Sequence, residues 1–579
     1  MTDRTFPEAF QQTAAAYPDA VALRTPGDTV SYTWREYAEA VRRIAGGLAG
    51  LGVRRGDTVA AMLANRPEFN LQEAAASHLG ATTFSIYNTS SVDQVRYLLE
   101  HSGAKVVITE RQFAGKLEES DSPVEHILVI EDGDLDRLEP APDFDFEATW
   151  RAVEPDDVLC LIYTSGTTGP PKGVEHTHRT MFANVETLLT VCPSGPGDRF
   201  LSFLPSAHIA DRTLSQYIPI TTGAQVTDLA DFTQLAAALA DTKPHGWAAV
   251  PRVWQKIKGG IETKLANDVT GVEQKLAYWA IGTGTKVAER RLSGKPVSTV
   301  LGVQYKLADA LVLSKLRAAL GLGELRWALT GGAATPPDVR TFLMGLGLPI
   351  SEGWGMSEYA VLVSTTPDQV RYGSIGKFLP GVEGKLAEDG EVLMRGAGLM
   401  RGYRNDPEKT AEAIIDGWLH TGDIATLDAE GYLAIVDRKK DLIINAGGKN
   451  MSPANIEGAI VPNSPLIGTV VAIGDGAPYN VALIILDPDA AAEFAEQNGL
   501  DADPAVLAKD ERVRAVVQEA VDAGNARLSR VEQVKKFAIM PTYWEPGTEE
   551  LTPTMKVKRK SVSVKYAATI AAIYSGDQG

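Results

Sequence analysis

Residues 163–173 read YTSGTTGPPKG, and they bring together the types of group that bind an anion. The hydroxyl donors of this loop are Thr164, Ser165, Thr167 and Thr168. Gly166 and the neighbouring glycines carry no side chain, so several backbone N–H groups can turn toward one point, and phosphate is the anion most often bound in this way. Lys172 adds a mobile positive charge at the end of the loop. The segment therefore predicts a phosphate-binding loop.

The flanking segments predict a strand before this loop and a helix after it. Residues 157–163, DVLCLIY, form an apolar run that is typical of a buried strand. Beyond the loop, Met181, Val185 and Leu188 recur at helical spacing. We therefore expect the order strand, loop, helix. A plain surface connection is the alternative, which the density of donors after a buried strand disfavours.

Two common nucleotide-binding loops do not fit this segment. A Walker A loop has glycine before its lysine and Ser or Thr after it, whereas Lys172 lies between Pro171 and Gly173. No G-x-G-x-x-G segment follows a predicted strand, so the dinucleotide-binding pattern is also excluded. The loop is predicted to bind phosphate in another way.

Later segments carry further groups suited to nucleotide chemistry. They are LTGGAAT (329–335), EGWGMSE (352–358), GWLHTGD (417–423), DRKKD (437–441), GGKNMSPANIE (447–457) and LTPTMKVKRK (551–560). Glu358 offers a hard oxygen ligand of the kind that Mg²⁺ prefers. Taken singly, Asp423 would more often be a helix cap, Trp354 a core aromatic residue and Lys556 part of a solvent-facing basic run. No single one of these residues indicates a site, and it is the joint order of the segments along the chain that favours a functional assignment.

Composition limits the class of protein. The chain has 579 residues, 44% hydrophobic and 22% charged, which suggests a globular protein of several domains. A net charge of −18 disfavours nucleic acid as a partner. Cys160 and Cys192 lie among apolar residues and are predicted to be small core residues. The start shows no signal-peptide pattern, and the apolar run 481–486 is too short to span a bilayer. We therefore expect a cytoplasmic protein without a transmembrane segment, and peripheral membrane contact stays open.

Short apolar runs alternate with helical patterns, which predicts an α/β protein. The predicted strands include 58–63, 105–109 and 124–130, and the helix within 33–52 has Tyr37, Val41, Ile44 and Leu48 on one face. After residues 433–450 the pattern restarts, with strands near 466–474 and 480–486 and a charged helix at about 504–529. We predict domains at 1–436 and 442–579, joined by a hinge at 437–441.

Over its full length, the loop resembles the phosphate-binding signature of the adenylate-forming superfamily, which includes acyl-CoA synthetases, luciferases and peptide-synthetase adenylation domains. The later segments resemble further motifs of that family in the same order, so the resemblance covers almost the whole chain. It implies a large N-terminal domain of stacked sheets with helices and a small mobile C-terminal domain. It also implies binding of ATP or AMP, Mg²⁺ and coenzyme A.

The same resemblance implies roles for individual residues. Those implied to line the nucleotide pocket are Thr164, Ser165, Gly166, Thr167, Thr168, Lys172, Gly332, Ala333, Ala334, Glu352, Gly353, Trp354, Gly355, Met356 and Ser357. Glu358 would bind Mg²⁺, while Asp423 and Arg438 would bind the ribose. Lys440 would be the pivot of the hinge, and Lys556 would be the catalytic lysine. Gly447 and Gly448 would line the tunnel for the thiol.

Two segments resemble the long-chain branch of the family, including its bubblegum-like members. They are SFLPSAHIADR (202–212) and VPRVWQKIKGGIE (250–262). In that branch His208 and Gly332 would lie at the acyl pocket, and Trp254 would lie in a gate over the acyl tunnel. Residues 261–326 resemble its helix-rich insertion. Ordinary helix packing is the alternative for the Trp254 segment.

The resemblance predicts an ATP-dependent, AMP-forming acyl-CoA ligase for a large apolar carboxylic acid. The carboxylate would attack the α-phosphate of ATP, and a thiol would then displace AMP from the acyl-AMP. No carrier segment follows the lysine motif, so free coenzyme A is the expected acceptor. The chain departs from the family at Trp354, where tyrosine is usual, and at Met555, where glycine is frequent. The alternatives are a protein that performs only the thioester step, a non-catalytic nucleotide- or lipid-binding protein, and a luciferase-type oxygenase. A homodimer is also left open.

Overall fold

The computed structural model describes residues 3–164, 170–446, 449–552 and 555–575. The predicted site residues that lie outside the described residues are Ser165, Gly166, Thr167, Thr168, Gly447 and Gly448. The described chain is a mixed α/β structure, which confirms the predicted class. Within these ranges no helix combines the length and the apolar character needed to cross a membrane.

The largest sheet carries the strand that leads into the predicted phosphate loop. Its strands are, in spatial order, Gly402–Tyr403, Lys172–Thr177, Val158–Thr164, Thr82–Ser85, Thr58–Met62, Ala104–Thr109 and His126–Val129. The last five run parallel, and the first two are antiparallel to their neighbours. Strands at the centre of the sheet are buried on both faces, as expected where helices cover both sides of a parallel sheet.

Two smaller sheets complete the first part of the chain. The four-stranded sheet contains Ser31–Thr33, Val21–Arg24, Gln225–Asp228 and Arg199–Ser202 in spatial order. The five-stranded sheet contains Gly246–Ala249, Trp327–Gly331, Ile350–Met356, Tyr359–Ser364 and Lys377–Phe378. The first three strands of this second sheet are parallel, so their carboxyl ends meet at one edge. That edge carries the residues that follow Gly331 and those that end near Met356.

An antiparallel sheet and two small C-terminal sheets follow. The antiparallel sheet contains Val382–Leu386, Glu391–Gly396, Trp418–Leu427 and Ile414–Ile415, with Leu433–Arg438 paired to Trp418–Leu427. The C-terminal sheets are a pair, Ile443–Ile444 and Asn450–Met451, and a triplet, Ile467–Ile473, Asn480–Leu486 and Val534–Ile539. The predicted strands near 466–474 and 480–486 are therefore confirmed.

Helices pack around these sheets. The α-helices before residue 250 are Phe6–Ala16, Trp34–Gly50, Pro67–His78, Val92–Ser102, Arg111–Glu119, Phe146–Arg151, His178–Leu189, Ile209–Arg212, Ile218–Thr222 and Leu235–Thr242. The later ones are Pro251–Asn267, Gly271–Leu292, Thr299–Ala308, Ser314–Ala319, Pro337–Gly345, Pro407–Ala413, Pro453–Ile460, Pro488–Asn498, Pro504–Leu507, Glu511–Asn525, Arg559–Lys565 and Ala567–Ser575. Short π-helical turns lie at Thr213–Tyr217 and Asp309–Leu313. Single 3₁₀ turns lie at Pro26–Asp28, Ile130–Asp132, Phe232–Gln234, Pro367–Gln369 and Val461–Asn463.

The helix Trp34–Gly50 shows how local sequence fixes an element. Thr33 Oγ1 accepts a hydrogen bond from Glu36 N (3.3 Å), and Glu36 Oε2 accepts one from Thr33 N (2.8 Å), which closes a capping box. The predicted stripe of Tyr37, Val41, Ile44 and Leu48 is fully buried. Helix and stripe are both confirmed.

Two predicted elements are wrong in detail. The loop that follows Val158–Thr164 does not lead directly into a helix, because Lys172–Thr177 forms an antiparallel strand first and the helix begins at His178. The charged helix expected at about 504–529 is two helices, Pro504–Leu507 and Glu511–Asn525. They are separate because Asp510 caps the second one, with its carboxylate accepting from Arg512 N at 2.8 Å.

The buried apolar residues fall into clusters on either side of residues 437–441. Four clusters contain buried residues up to Leu433 only, and two contain buried residues from Ile443 onward. Cys160 and Cys192 are both buried and unpaired, as predicted, and burial raises the pKa of the Cys160 thiol to about 11. The described residues after 442 therefore have a hydrophobic core of their own.

Candidate functional site

The predicted phosphate loop connects two antiparallel strands. Thr164 and Lys172 form the last residue pair of this hairpin, with residues 165–171 between them. Tyr97 Oη donates a hydrogen bond to the backbone oxygen of Pro171 (3.0 Å), which fixes the end of the connection. Lys172 Nζ lies 4.0 Å from the centroid of the Tyr403 ring. Burial lowers the pKa of Lys172, whereas Glu358 acts in the opposite direction.

Glu358 lies close to Lys172 and is held by Tyr403. Its side chain belongs to a residue that is only 7% exposed, just beyond the end of the strand Ile350–Met356. Tyr403 Oη donates to Glu358 Oε1 at 2.7 Å, so one tyrosine contacts both the lysine through its ring and the carboxylate through its hydroxyl. Burial and this carboxylate both raise the pKa of Tyr403, which keeps the phenol protonated. No sequence pattern pointed to Tyr403.

In the segment 352–357, Glu352, Gly355 and Ser357 each contact a different part of the protein. The Glu352 carboxylate forms a buried ion pair with Arg340 and accepts a hydrogen bond from Thr335 N at 3.2 Å. Its charge is thus satisfied within the protein, and its place in the nucleotide pocket stays a prediction. Gly355 admits no side chain, since an added Cβ would lie 1.8 Å from the backbone oxygen of Ala360. The backbone oxygen of Ser357 accepts from His176 Nε2 at 2.8 Å.

The remaining small residues of the predicted pocket lie at one edge of the five-stranded sheet. Gly332, Ala333 and Ala334 are exposed where the strand Trp327–Gly331 ends. Gly332 has φ +83°, a left-handed conformation that favours glycine. Half-buried positions on the neighbouring strand are Gly353, Trp354 and Met356. Two predicted segments therefore meet at the same edge.

Asp423 is the centre of a second group of side chains. It is 4% exposed, and its Oδ2 accepts a hydrogen bond from Trp354 Nε1 at 3.1 Å. Its Oδ1 lies 3.0 Å from Arg438 Nε, because Asp423 and Arg438 face each other on antiparallel strands. Burial raises the pKa of Asp423, while Arg438 counteracts that effect. The structure thus brings three predicted residues together around one carboxylate.

Lys556 reaches the same region from the C-terminal part of the chain. The residue is exposed to solvent, although protein groups surround its ammonium group on enough sides to desolvate it. Burial lowers the pKa of Lys556 and Arg438 lowers it further, whereas Asp423 and Glu358 act in the opposite direction. The group around Asp423 and the group around Glu358 are therefore both close enough to act on the charge of Lys556.

The turn before Lys556 explains an unusual residue in the motif. Met555 has φ +65°, a left-handed conformation in which a side chain is disfavoured. Lys556 N donates to Thr552 Oγ1 at 3.0 Å, and Leu551 and Val557 form a bridge across the turn. This backbone geometry gives a physical reason for glycine to be frequent at the position of Met555 in related motifs.

His208 and Trp254, which were predicted for the acyl side, occupy different environments. His208 Nδ1 accepts from Ala210 N at 3.1 Å and caps the helix Ile209–Arg212. Burial lowers the pKa of His208 to about 4, and Lys556 contributes to this, so the ring is neutral near pH 7. Trp254 is fully buried, with its ring centroid 4.8 Å from that of Trp247. Its indole is part of an apolar cluster, and its place in a gate over the acyl tunnel stays a prediction.

The segment 437–441 has one buried anchor and several exposed basic side chains. Asp437 Oδ2 accepts from Ser452 Oγ at 2.5 Å and from Ala454 N at 3.1 Å, so it caps the helix Pro453–Ile460 across the segment. Lys440 is exposed. Lys439 Nζ pairs with Asp389 (2.5 Å) and Glu391 (3.1 Å). The sequence singled out Lys440 and missed Asp437.

A second connection links the helix of Trp254 to the C-terminal part of the chain. Arg252 Nη2 lies 2.6 Å from Asp487 Oδ2, and Lys256 Nζ lies 3.2 Å from Asp489 Oδ2. Both basic residues lie on the helix Pro251–Asn267, and both carboxylates lie at the start of the helix Pro488–Asn498. Sequence alone gave no indication of these pairs, since they join residues more than 230 positions apart.

Chemically, the site places two lysines and an arginine around two buried carboxylates. Lys172 and Lys556 suit the charge of phosphates, and Glu358 suits a hard cation. Asp423 suits hydroxyl donors such as those of a sugar. The arrangement can hold an anion between the hairpin and the C-terminal turn and can stabilise negative charge that develops on it.

Family models match most of the chain. Residues 10–404 match the model described as AMP-binding enzyme, and residues 440–578 match the one described as AMP-binding enzyme C-terminal domain. The chain is 52% identical over 436 residues to fadD11 of Mycobacterium tuberculosis, whose name assigns it provisionally to the fatty-acid–CoA ligases, with 75% of this chain and 76% of that protein covered.

Two further relatives are matched over nearly the whole chain. Long-chain-fatty-acid–CoA ligase FadD15 of Mycobacterium tuberculosis is 37% identical over 580 residues, with 96% of this chain and 95% of that protein covered. Long-chain-fatty-acid–CoA ligase ACSBG2 of Gallus gallus is 30% identical over 625 residues, with 99% and 81% covered. The predicted resemblance to the long-chain and bubblegum-like branch is thereby confirmed.

The fold has close counterparts among solved structures. The o-succinylbenzoate CoA synthetase of Bacillus subtilis in complex with its acyl-adenylate intermediate superposes with a TM-score of 0.72 at 22% identity, with 97% of this chain and 98% of that chain covered. At that identity the similarity concerns the fold, which confirms the predicted architecture of adenylate-forming enzymes. The chain belongs to the AMP-binding enzyme family.

Proposed function

We propose that this protein is an ATP-dependent, AMP-forming acyl-CoA ligase that activates a large apolar carboxylic acid. The observation that carries the proposal is the group of Trp354, Arg438 and Asp423, whose carboxylate acts on the charge of Lys556 as that of Glu358 does. In the adenylation step, charge develops on phosphate oxygens, and positioned cations supply most of the catalysis. A lysine near one carboxylate suited to ribose hydroxyls and another suited to a metal ion fits that step.

The hairpin side of the site would hold the nucleotide. Lys172 and the backbone of the loop would bind the β- and γ-phosphates, and Asp423 with Arg438 would bind the ribose hydroxyls. The Trp354 indole, which already donates to Asp423, would lie against the base. Gly332, Ala333 and Ala334 would line the pocket between base and acyl group, where their small size leaves room for a ligand.

Glu358 fits the role of Mg²⁺ ligand. Its carboxylate is buried, and Tyr403 orients it by a hydrogen bond to one oxygen. Among the described residues no group of three or more potential ligands is arranged as a metal site. Mg²⁺ is often held by one or two carboxylates together with substrate phosphates, so a single glutamate suits it. When bound, Mg²⁺ would neutralise charge on the phosphates.

In the second step a thiol of coenzyme A would attack the acyl carbon and expel AMP. We propose that the residues after 442 rotate about 437–441 between the two steps, which would remove Lys556 and bring Gly447 and Gly448 to the thiol. The residues after 442 have a separate hydrophobic core, which supports a division at 1–436 and 442–579. The capping of Pro453–Ile460 by Asp437 supports a hinge that begins after this residue.

The hinge is testable at Lys440. Lys440→Pro fixes φ and should block one half-reaction while nucleotide affinity changes little, because the site residues are untouched. Lys440→Ala is the matched control, since it removes the same charge and leaves the backbone free. A proline variant that loses nucleotide binding and both half-reactions together would contradict a hinge role.

The acyl side supports an apolar substrate. Trp247 and Trp254 belong to a large apolar cluster beside the exposed Gly332–Ala334 edge, and Val250 Cγ1 lies 3.9 Å from a Cβ built at Gly332. The names of the matched relatives point to long-chain fatty acids as the class to try first. Neutral His208 would avoid placing a positive charge next to such a chain.

The proposal is tested by a panel of carboxylic acids of increasing chain length. Pyrophosphate release and acyl-CoA formation are measured separately, from ATP plus acid and from preformed acyl-AMP. We expect both products with long apolar acids. Thioester formation from acyl-AMP without any pyrophosphate release would limit the protein to the second step, and no thioester under either condition would reject the ligase function.

Cytoplasmic location is part of the same proposal. ATP and coenzyme A are the expected co-substrates, and both cysteines are unpaired, which suits a reducing compartment. A homodimer stays a prediction that sedimentation velocity would test.

A further inference from the structure

One ion pair joins two segments of the C-terminal part to which the proposed function gives roles in different half-reactions. Arg559 Nη1 donates to Glu457 Oε1 at 2.7 Å, and Arg559 Nη2 donates to Glu457 Oε2 at 2.6 Å. Two parallel hydrogen bonds of this kind are strong, and they also fix the relative orientation of the guanidinium and the carboxylate. The two residues are 102 positions apart, so the pair holds together segments that are distant in the sequence.

The carboxylate of this pair is anchored to the C-terminal sheet. Glu457 lies on the helix Pro453–Ile460, and its Oε1 also accepts a hydrogen bond from Ala472 N at 2.8 Å. Ala472 belongs to the strand Ile467–Ile473. A carboxylate held at once by a strand backbone and by an arginine has little freedom to turn, so it can serve as a fixed point for the arginine.

The same helix packs against the strands that flank the residues proposed for the thiol. Ile456 of this helix is buried in one apolar cluster with Ile443 and Met451. Ile443 and Met451 face each other on two paired antiparallel strands. Gly447 and Gly448 belong to the sequence that connects these strands. Both ends of the segment proposed for the thiol are therefore packed against the helix that carries the carboxylate.

The arginine of the pair is connected to the turn that carries Lys556. Arg559 begins a helix three residues after Lys556. Thr552 N donates to the backbone oxygen of Lys556 at 2.8 Å, and Lys558 N donates to the backbone oxygen of Glu550 at 2.7 Å. These backbone contacts join the turn to the start of the helix, so a displacement of Arg559 is passed on to Lys556.

The ion pair also lies beside the proposed hinge. Burial opposes the charge of Arg559, yet Glu457, Asp441 and Asp437 together raise its pKa above the ordinary value. Asp437 and Asp441 are the two ends of the segment 437–441. Asp437 also caps the helix of Glu457, since its Oδ2 accepts from Ala454 N at 3.1 Å. A rotation about this segment therefore acts on both partners of the pair at once.

We propose that Glu457 and Arg559 are positioning residues that make the turn of Lys556 and the segment proposed for the thiol one rigid unit. The inference rests on the proposed function, in which these two segments serve successive half-reactions. A reacting group that is misplaced by about 1 Å can cost about 10² in rate. Loss of the pair should therefore slow both half-reactions, whereas loss of the Lys556 ammonium group should slow only the first.

The test compares Arg559→Ala with Lys565→Ala in the whole chain. Lys565 lies on the same helix as Arg559 and forms ion pairs with Glu549 (2.9 Å) and Glu550 (2.8 Å), so its loss is a matched control away from Glu457. Pyrophosphate release and acyl-CoA formation from preformed acyl-AMP are followed in single turnovers, whose rate constants do not depend on the folded fraction. We expect Arg559→Ala to slow each step by about 10- to 100-fold. Lys565→Ala should stay within about twofold in both.

Two conservative variants separate orientation from charge. Arg559→Lys keeps the positive charge and loses the planar fork, and Glu457→Gln keeps an acceptor for Ala472 N and loses the negative charge. Each should slow both steps by less than Arg559→Ala does. They also provide the test if circular dichroism shows that Arg559→Ala does not fold.

Amide hydrogen exchange gives a readout that does not require catalysis. In the variant that loses the pair, exchange should become faster in the helix Pro453–Ile460 and in residues 555–565 together. In Lys565→Ala the helix Pro453–Ile460 should exchange as in the unmodified protein. Coupled exchange without either half-reaction would support the rigid unit and reject the ligase function, so the two proposals can fail separately.

Three results would overturn the inference. The first is an Arg559→Ala variant that is slow in pyrophosphate release and forms acyl-CoA from acyl-AMP at the unmodified rate, since the two segments would then move independently. The second is a lower melting temperature with unchanged rate constants in both steps, which would make the pair a stabilising contact only. The third is faster exchange in only one of the two segments.

Discussion

Two lysines approach the proposed site from regions that are held in different ways. Lys172 begins a strand that pairs with Val158–Thr164 on one side and with Gly402–Tyr403 on the other. Lys556 lies on a turn whose backbone contacts are local, through Thr552 and the bridge between Leu551 and Val557. One lysine is thus fixed in a sheet, and the other is carried on a part of the chain with its own core.

From the way these two lysines are held, we infer which parts of the site can serve both half-reactions. Lys172, Glu358 and Asp423 lie in or beside three sheets whose strands all end before residue 439, so their mutual geometry does not require the C-terminal part. Lys556 depends on the position of that part, which is held here by Asp437 at the proposed hinge and by Arg252 on the helix Pro251–Asn267. A group that is present in only one arrangement suits a role in only one step.

The largest effect is expected for Lys556→Ala in the adenylation step. Removing one positioned charge from a phosphate that gains charge should slow pyrophosphate release by about 10²–10³. Single-turnover pyrophosphate release with a saturating long-chain acid measures this rate. Lys560→Ala, a change at an exposed lysine in the same basic run, is the control and should leave the rate within about twofold, as for most exposed surface substitutions.

The next largest effect is expected for Asp423→Ala. Hydrogen bonds to a buried charged group contribute about 1.5–3 kcal/mol, so the loss should weaken each half-reaction by about 10- to 100-fold. The two steps should be affected alike, because the ribose is bound in both. Asp423→Asn keeps an acceptor for Trp354 and should lose less. If Asp423→Ala impaired only one of the two steps, the assignment of Asp423 to both half-reactions would be wrong.

A smaller effect is expected for Tyr403→Phe. The variant keeps the ring against Lys172 and removes the hydroxyl that donates to Glu358, so only the orientation of the carboxylate changes. A hydrogen bond to a carboxylate contributes about 1.5–3 kcal/mol, and only part of that reaches the reaction because Tyr403 acts through the orientation of Glu358, which predicts a loss of about 2- to 10-fold in pyrophosphate release and a raised Mg²⁺ requirement. Tyr372→Phe, on the surface, is the control. An unchanged Mg²⁺ titration would contradict the orienting role.

The smallest effect is expected for the ion pairs between Arg252 and Asp487 and between Lys256 and Asp489. Partly exposed pairs contribute about 0.2–1 kcal/mol each, so Arg252→Ala with Lys256→Ala should slow adenylation by up to about fivefold and leave the thioester step unaffected or slightly faster. The effect should vanish in high salt. Lys264→Ala, an exposed residue of the same helix with no ion pair in the described ranges, is the control. Equal slowing of both steps would mean that the pairs do not favour one domain arrangement.

Much of this account could be predicted from local sequence, because the motifs are contiguous. The strand before the loop, the capped helix Trp34–Gly50 and the strands Ile467–Ile473 and Asn480–Leu486 follow from periodicity and capping residues. The family resemblance added the order of the site segments. The assigned roles of individual residues stay predictions.

The remaining features depend on contacts between distant parts of the chain. Tyr403 is joined to Lys172 and Glu358 only because a two-residue strand pairs with Lys172–Thr177, and two residues leave no periodic pattern. The strand Lys172–Thr177 itself contains charged and polar residues, and the helix pattern after it concealed it. The ion pair of Glu352 with Arg340 neutralises a buried carboxylate in a way that no motif indicates.

The central claim is that Lys556 serves only the adenylation step, and it is tested most directly by the second half-reaction of Lys556→Ala. Synthetic acyl-AMP and coenzyme A are mixed with the variant and with the unmodified protein, and acyl-CoA formation is followed at saturating concentrations. The account predicts rates within about threefold of each other, beside the 10²–10³ loss in pyrophosphate release. A thioester rate that falls as far as the adenylation rate would show that Lys556 acts in both steps, and the contrast between the fixed and the mobile lysine would then be wrong.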